Sequence, residues 1–364
     1  MRILFIIPNL TLGGIQKQVL RLAVELKKKG YHPIIAGVNK KSNDFVEELI
    51  KEGVEYYDFS GWWKRWPWGH RYLKVFNSTR INLNIRQKIK PEVIFSYTHG
   101  IAFNINIAWQ FSGAKESYFM ERSGVERYNT KPNKLERWSV KNSTQLIANS
   151  QHASKDLAKY FNLKRNETGT IVNFIDYPAK KLSLESLPNF NMNSKVYLMI
   201  ANFWSEKNHE LLINSWQEFQ KDRDVSLILI GQSINNEVQV RFDNQNKIYY
   251  AGSLKNASAY IHLADVCILS SFVEGCPNVV LEYLYESKLF IGSDIPAIRE
   301  IIPAKYHNDL LYDNYSEADC ISKLEFALEN TNNTEIIKDC KRVVKERYTL
   351  DVMVNEYENI LKHV

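Results

Sequence analysis

Two glutamates in "SFVEGCPNVVLEYLY" (271–285) have the spacing that most invites chemistry. Glu274 and Glu282 have seven residues between them. Glu282 is flanked by Val279, Val280, Leu281, Tyr283 and Leu284. Burying an unpaired charge costs several kcal/mol. Glu282 is therefore either solvated on one helix face or met by something polar. Pro277 suits the first turn of a helix, where its missing N–H is no loss. That puts Glu274 in the loop before the helix and Glu282 about two turns into it. The N–H groups from Gly275 through Cys276 and Asn278 to Val279 stand at the helix start. Carboxylates pair with hydroxyls, and helix N-termini pair with phosphates. A nucleotide sugar carries both.

Two further segments offer anion-binding chemistry. Gly13 and Gly14 follow an apolar run and precede a helical pattern. Glycine lets the backbone approach a phosphate closely, and it also serves a plain tight turn. Lys207 lies past a strand, at the start of a helix, in "ANFWSEKNHELLI" (201–213). A lysine there opposes the helix dipole unless an anion sits nearby; the alternative is a surface lysine. "DRD" (222–224) resembles a metal-binding DxD, but its place between a helix and a strand reads as a solvated turn.

The elements that must position these residues alternate regularly. "RILFII" (2–7) is a β-rich run fit for a strand buried on both faces. The helix after it keeps Ile15, Val19, Leu22, Ala23 and Leu26 on one face and stops at Gly30. Strands at 33–38, 92–96, 116–120 and 145–150 follow, with helices near 100–110, 133–141 and 151–161. From 165 to 194 the periodicity fails, and a polar, Pro-containing linker is expected. Alternation restarts with strands at 196–202, 225–231, 247–252, 265–270 and 289–293. Helices are expected at 208–220, between 231 and 247, at 256–263 and at 277–286. Repeated βα units give parallel sheets covered by helices. The expected fold is α/β: two Rossmann-like domains, 1–180 and 195–345, facing a cleft. A last helix in 346–364 can cross back to the first domain. Such sheets bind ligands at the carboxyl ends of their strands.

Composition narrows the class. The chain has 364 residues, 45% of them hydrophobic, and a net charge of +6. That is long for a single core. No run of 18 or more apolar residues appears, so no spanning helix is expected. The N-terminus reads as a first strand and not as a signal peptide. Cys267, Cys276, Cys320 and Cys340 show no CxxC spacing, so reduced thiols in a cytoplasmic protein and no zinc site are expected. The mildly basic balance suits phosphates or an anionic membrane leaflet. No basic helix or stacking motif of a nucleic-acid module appears.

Over nearly its whole length the chain resembles the retaining, GT-B-fold glycosyltransferases of glycosyltransferase family 4. The strand–GG–helix opening, "ANFWSEKNHELLI" for the G-R-x-x-x-E-K segment, "SFVEGCPNVVLE" as the E-x7-E motif and "SDIPAIREII" carry the resemblance. It implies that Glu274 meets the donor sugar, Glu282 the nucleotide ribose and Lys207 the diphosphate, with Gly14 approaching from the other domain. Three positions depart from the pattern. Asn202 stands where the second diphosphate cation is usual, and "GGIQ" places Gln16 for the usual glutamate. Arg122, in "YFMERSGVERY", replaces the pocket histidine; His99 is a candidate substitute, and Arg122 a candidate for the lost cation.

The resemblance implies transfer of a sugar from a nucleotide diphosphate sugar to a hydroxyl of a saccharide or lipid-linked saccharide, in bacterial cell-surface glycan assembly. No metal and no other cofactor is expected. A nucleotide-sugar epimerase on the same fold and a non-catalytic sugar-nucleotide-binding subunit are the alternatives. "GWWKRWPWGHRY" (61–72) places Trp62, Trp63, Trp66 and Trp68 among Lys64, Arg65 and Arg71. Trp with Lys/Arg suits either core packing or a membrane interface. A place on the inner face of the cytoplasmic membrane is the corresponding expectation.

Overall fold

The computed structural model describes residues 1–11, 13–39, 44–61, 71–122, 131–175, 194–232, 241–243, 245–254 and 256–364. The chain divides into two units, Met1–Asp176 with Leu350–Val364, and Tyr177–Thr349. Each is built on a seven-stranded sheet.

The first sheet holds β1 (Arg2–Asn9), β2 (His32–Asn39), β3 (Glu55–Asp58), β4 (Val93–Tyr97), β5 (Glu116–Glu121), β6 (Gln145–Ala148) and β7 (Thr168–Thr170). Their order is β3-β2-β1-β4-β5-β6-β7, and all neighbours run parallel. The second holds β8 (Lys195–Ile200), β9 (Val225–Ile230), β10 (Arg241–Asp243), β11 (Ile248–Gly252), β12 (Val266–Leu269), β13 (Leu289–Ser293) and β14 (Leu311–Tyr312). The order is β10-β11-β9-β8-β12-β13-β14, with β10 alone antiparallel. Continuous apolar runs such as Ile3–Ile7 and Val225–Ile230 are buried on both faces, as parallel strands must be.

Each sheet is laid down from the middle outward. After β1 the chain builds β2 and β3 on one side, then switches to β4 on the other. After β8 it builds β9 to β11, then switches to β12. The crevice at such a switch, outside the carboxyl ends, is where open α/β sheets bind ligands. The loops after β1, β4, β8 and β12 carry Gly13, His99, Lys207 and Glu274.

The helix Gly14–Lys28 buries Val19, Leu22, Ala23 and Leu26, and Gly30 ends it at φ 88, a value glycine adopts without cost. Several expected elements change. The span expected as a helix at 256–263 is a 3-10 helix, Ala257–Leu263, whose buried residues Ala259, Tyr260 and Ile261 are consecutive. The helix expected between 231 and 247 falls largely outside the described residues, and Arg241–Asp243 is a strand. Within the expected linker, Thr168–Thr170 joins the first sheet, in keeping with its β-branched residues. Arg165–Glu167 is a 3-10 turn, Ile171 and Phe174 are buried in the first unit's core, and 176–193 lie outside the described residues.

The last helix, Leu350–Leu361, belongs to the first unit. Met353, Val354, Tyr357 and Leu361 enter the same core as Phe5, Val19, Leu26 and Phe95. The Tyr357 ring meets Phe5 and Phe95 edge-on, and its hydroxyl lies 2.5 Å from that of Tyr97. The four cysteines are buried thiols, none in a disulfide. Burial pushes the Cys320 and Cys340 thiols up to about 12. Among the described residues no helix is long and apolar enough to cross a membrane.

Candidate active site

The second unit brings a cation and a carboxylate together from loops 67 residues apart. After β8 the chain passes Asn202 and makes a 3-10 turn, Ser205–Lys207. Asn208, at φ 48, then lets the helix His209–Phe219 begin; asparagine visits this left-handed region more readily than most residues. The Nζ of Lys207 lies 2.5 Å from Oε1 of Glu274, and Ser271 Oγ donates to the same oxygen at 2.8 Å. Both charged side chains are largely buried. The two loops are stitched by backbone. Phe272 N donates to Glu206 O at 2.8 Å, and Ser270 Oγ lies 3.0 Å from the carbonyls of Lys207 and Asn208.

The helix Asn278–Tyr285 follows directly, with Pro277 as its cap and not inside its first turn. Val280, Leu281, Tyr283 and Leu284 are buried, while Glu282 is half-buried. Its carboxylate accepts from Ser258 Oγ at 2.6 Å. So Glu282 leaves the core and turns toward the 3-10 helix Ala257–Leu263, where a hydroxyl meets it. Tyr283 OH accepts from Ile200 N at 2.8 Å and ties the helix to the end of β8. Gly275 and Cys276 are buried at the helix entrance; Asn278 and Val279 are half-buried.

Asn202 Oδ1 accepts from Gln232 N at 3.0 Å and so joins the ends of β8 and β9. His209, two residues after Lys207, was not singled out from the sequence. It is buried, and its ring stacks on Phe203 with centroids 4.1 Å apart. Burial pushes its pKa down to about 4; a backbone bond at Ala201 opposes this and the Lys207 charge adds to it. The imidazole is neutral at pH 7.

In the first unit, Asn9 Oδ1 accepts from Thr11 N at 3.1 Å and from Gln16 Nε2 at 2.9 Å. Gly13 precedes the helix in extended backbone, and a Cβ there would lie 2.7 Å from Gln16 Oε1. Gln16 thus closes the loop over Gly13, and Gly14 opens the helix. His99 opens the helix His99–Asn106. Its ring nitrogens lie 3.6 Å from Glu121 and 3.9 Å from Glu136, and its ring packs among Phe103, Phe119 and Phe161. Glu121 is only 2% exposed and accepts from Arg122 N at 2.9 Å.

Arg122 turns elsewhere. Its guanidinium donates to Gln18 Oε1 at 2.5 Å and to Asn173 Oδ1, and lies over the Tyr97 ring. It is engaged by the first unit's own polar cluster. The structure therefore groups Lys207, Glu274 and Ser271, pairs Glu282 with Ser258, and sets His99 between two glutamates. Ser258 carried no sequence signal, because it lies 24 residues from Glu282. Glu121 stands beside Arg122 in the sequence, though nothing local marks it as buried. Trp62, Trp63, Trp66, Trp68, Lys64 and Arg65 lie outside the described residues.

Comparison with known proteins bears on the whole chain. Residues 12–177 match the Glycosyltransferase Family 4 model, and residues 194–330 match the Glycosyl transferases group 1 model. The uncharacterized glycosyltransferase MJ1059 of Methanocaldococcus jannaschii is 25% identical over 230 residues. That match spans 59% of this chain and 55% of the relative's length. A glycosyltransferase from Rickettsia africae ESF-5 is similar in structure at TM-score 0.79 and 20% identity, covering 100% of this chain and 98% of that one. HepE of Anabaena, solved with UDP and glucose, is similar at TM-score 0.78 and 14% identity, with 100% of each chain covered. Identities this low speak for the fold alone. One glycosyltransferase model thus matches most of each sheet's residues, Glycosyltransferase Family 4 in the first unit and Glycosyl transferases group 1 in the second, on the two-sheet GT-B architecture.

Proposed function

We propose that the protein is a retaining glycosyltransferase that moves a sugar from a nucleoside diphosphate sugar to a hydroxyl of a saccharide acceptor. The observation that carries the reading is the Lys207–Glu274 pair at the β8/β12 switch point, with Glu282 on the next helix. Glu282 would hold the ribose hydroxyls, with Ser258 orienting its carboxylate. Glu274 would meet the donor sugar. As the bond from the sugar to the diphosphate breaks, negative charge grows on the leaving group. The Lys207 ammonium and the N-terminus of the helix Asn278–Tyr285 are set to offset it. The reading calls for no metal. His99, between Glu121 and Glu136, is the first unit's candidate for the reacting end, and Gly14 for the close approach of backbone.

A lipid-linked saccharide on a growing bacterial surface glycan, at the inner face of the cytoplasmic membrane, is the acceptor we favour. HepE solved with UDP-glucose, and a TarM variant of S. aureus solved with UDP and alpha-GlcNAc-glycerol, support the nucleotide-sugar chemistry by likeness. A thermal-shift screen against a panel of nucleotide sugars tests the donor site, since a bound ligand stabilises by mass action. The stabilising donor is then given to saccharide acceptors, and the product's anomeric configuration is read by NMR. Retained configuration is expected. Inversion would overturn the mechanism. Donor turnover without acceptor would mean an epimerase, and binding without turnover a non-catalytic subunit.

A further inference from the structure

Asn208 sets aside both of the local preferences of its residue type. It is the last residue before the helix His209–Phe219, where an asparagine side chain ordinarily accepts from the backbone N–H groups of the first turn. Here it makes no such bond. Its backbone stands at φ 48 and ψ 45, a left-handed conformation that any residue with a side chain adopts at a cost. A residue held so, and 8% exposed, has its side chain engaged elsewhere.

The partner is a third loop. Asn208 Nδ2 donates to the carbonyl of Asn314 at 3.1 Å, across 106 residues of chain. Asn314 lies between β14 and the helix Glu317–Glu329, in a loop fixed on both sides. Tyr315 N donates to Asp313 Oδ1 at 3.0 Å, and Ser316 Oγ caps the helix by accepting from Asp319 N at 3.1 Å. The Asn314 side chain turns back, and its Nδ2 donates to Ser271 O at 3.3 Å. Ser271 is the chain neighbour of Ser270, whose hydroxyl is shared between the carbonyls of Lys207 and Asn208, each at 3.0 Å. The bonds close a ring: Asn208 to Asn314, to Ser271, through the chain to Ser270, and back to Asn208. Ser270 and Ser271 are fully buried. The loops after β8, β12 and β14 are thus tied together by side chains bonded to backbone.

The ring lies at the base of the Lys207–Glu274 pair. Lys207 is the chain neighbour of Asn208, and its own carbonyl is one of the two that Ser270 holds. On the other side, the Ser271 hydroxyl donates to Glu274 Oε1 at 2.8 Å. A lysine is a point charge on a flexible four-carbon stem, so the place of its charge depends on where the stem begins. We propose that Asn208, Ser270 and Asn314 are positioning residues for Lys207, a clasp that fixes the origin of its side chain and so the place of its ammonium beside Glu274. The proposal rests on the reading of Lys207 as the group that offsets charge on the leaving diphosphate. The clasp extends the machinery of that reading to the loop after β14.

The test is steady-state kinetics of the full chain. The donor is the member of the nucleotide-sugar panel that stabilises the protein most, and its free nucleoside diphosphate is the binding probe. N208G removes the side-chain bond to Asn314, while glycine keeps the left-handed backbone. N314A removes the bond to Ser271, and S270A the bonds to Lys207 and Asn208. In each, kcat should fall about tenfold, as for a catalytic group moved by a fraction of an ångström. Affinity for the nucleoside diphosphate should stay within about twofold, because the ammonium is displaced and not removed. The melting temperatures of N208G and N314A should stay close to the parent's.

The deciding measurement repeats the three substitutions in K207A. With the ammonium gone there is nothing left to position, so kcat should fall no further. A residue that only stabilises the fold would lower kcat by the same factor with or without Lys207, and that result would overturn the proposal. So would a parental kcat in N208G and N314A, or losses of melting temperature and affinity that keep step with kcat. If K207A alone turns over like the parent, the charge-offsetting role of Lys207 fails and the clasp with it. If K207A is slow but the losses add, the clasp fails alone.

Discussion

At the scale of single residues, Glu282 and Lys207 separate binding from chemistry. Glu282→Gln keeps the shape but removes the charge from its hydrogen bonds. Nucleotide affinity should drop by about 1.5–3 kcal/mol, the range for bonds to charged groups. Titration calorimetry with the free nucleoside diphosphate measures it; unchanged affinity would refute the ribose assignment. Lys207→Ala removes a cation placed where charge grows, so kcat should fall on the order of 10²-fold, beyond any loss of affinity. A normal kcat would leave Lys207 a partner of Glu274 and nothing more. His209 makes stability depend on pH. Its folded value, about 4, lies below the ordinary 6.5, so the fold prefers the neutral ring. The contribution is complete above pH 6.5 and is lost as pH falls toward 4. Between pH 7 and 5 the protein should lose about 2 kcal/mol that a His209→Asn variant does not lose. Urea titrations at both pH values check this, and parallel behaviour of the two proteins would refute it. His209 stands in plain sight after Lys207, but its burial follows from packing against Phe203, which no local pattern encodes.

At the scale of elements, the helix Asn278–Tyr285 does two jobs with adjacent residues. Glu282 turns outward to Ser258, and Tyr283 turns inward to cap the last N–H of β8. Tyr283→Phe leaves Ile200 N–H without that acceptor and should cost about 1–2 kcal/mol. Denaturant unfolding gives the stability, and a parallel loss of nucleotide affinity would show that the tyrosine also sets the helix position. The helix itself was legible. Pro277 marks its start, and the apolar residues around Glu282 mark its core side. The direction of the carboxylate was not legible, since a half-buried helix position faces core or partner according to what packs beside it. The 3-10 helix Ala257–Leu263 is the counterpart error: eight residues suffice for either helix type, and only the packing of three consecutive side chains selects the tighter one.

At the scale of the molecule, the last helix completes the first unit's core from the far end of the chain. Tyr357 meets Phe5, Phe95 and Tyr97, residues more than 250 positions away. Tyr357→Ala should destabilise the first unit by about 3–5 kcal/mol, as for other large-to-small core changes. Hydrogen exchange should quicken in β1 and β4 while β8 and β12 stay protected. Equal loss in both sheets would contradict the division at Asp176 and Leu350.

The repeated βα rhythm and the spacing of Glu274 and Glu282 were determined by the sequence alone, because strand and helix periods and a helix-starting proline are local properties. So were the apolar runs that had to be buried on both faces, hence the parallel sheets. Sheet order was decided only by the tertiary structure, since β1 must choose neighbours from strands tens of residues away. The same holds for the contact of Lys207 with Glu274 and for the turning of Arg122 into the Gln18–Asn173 cluster. These are long-range contacts, and their partners are chosen by which faces remain to be covered once the sheets have formed.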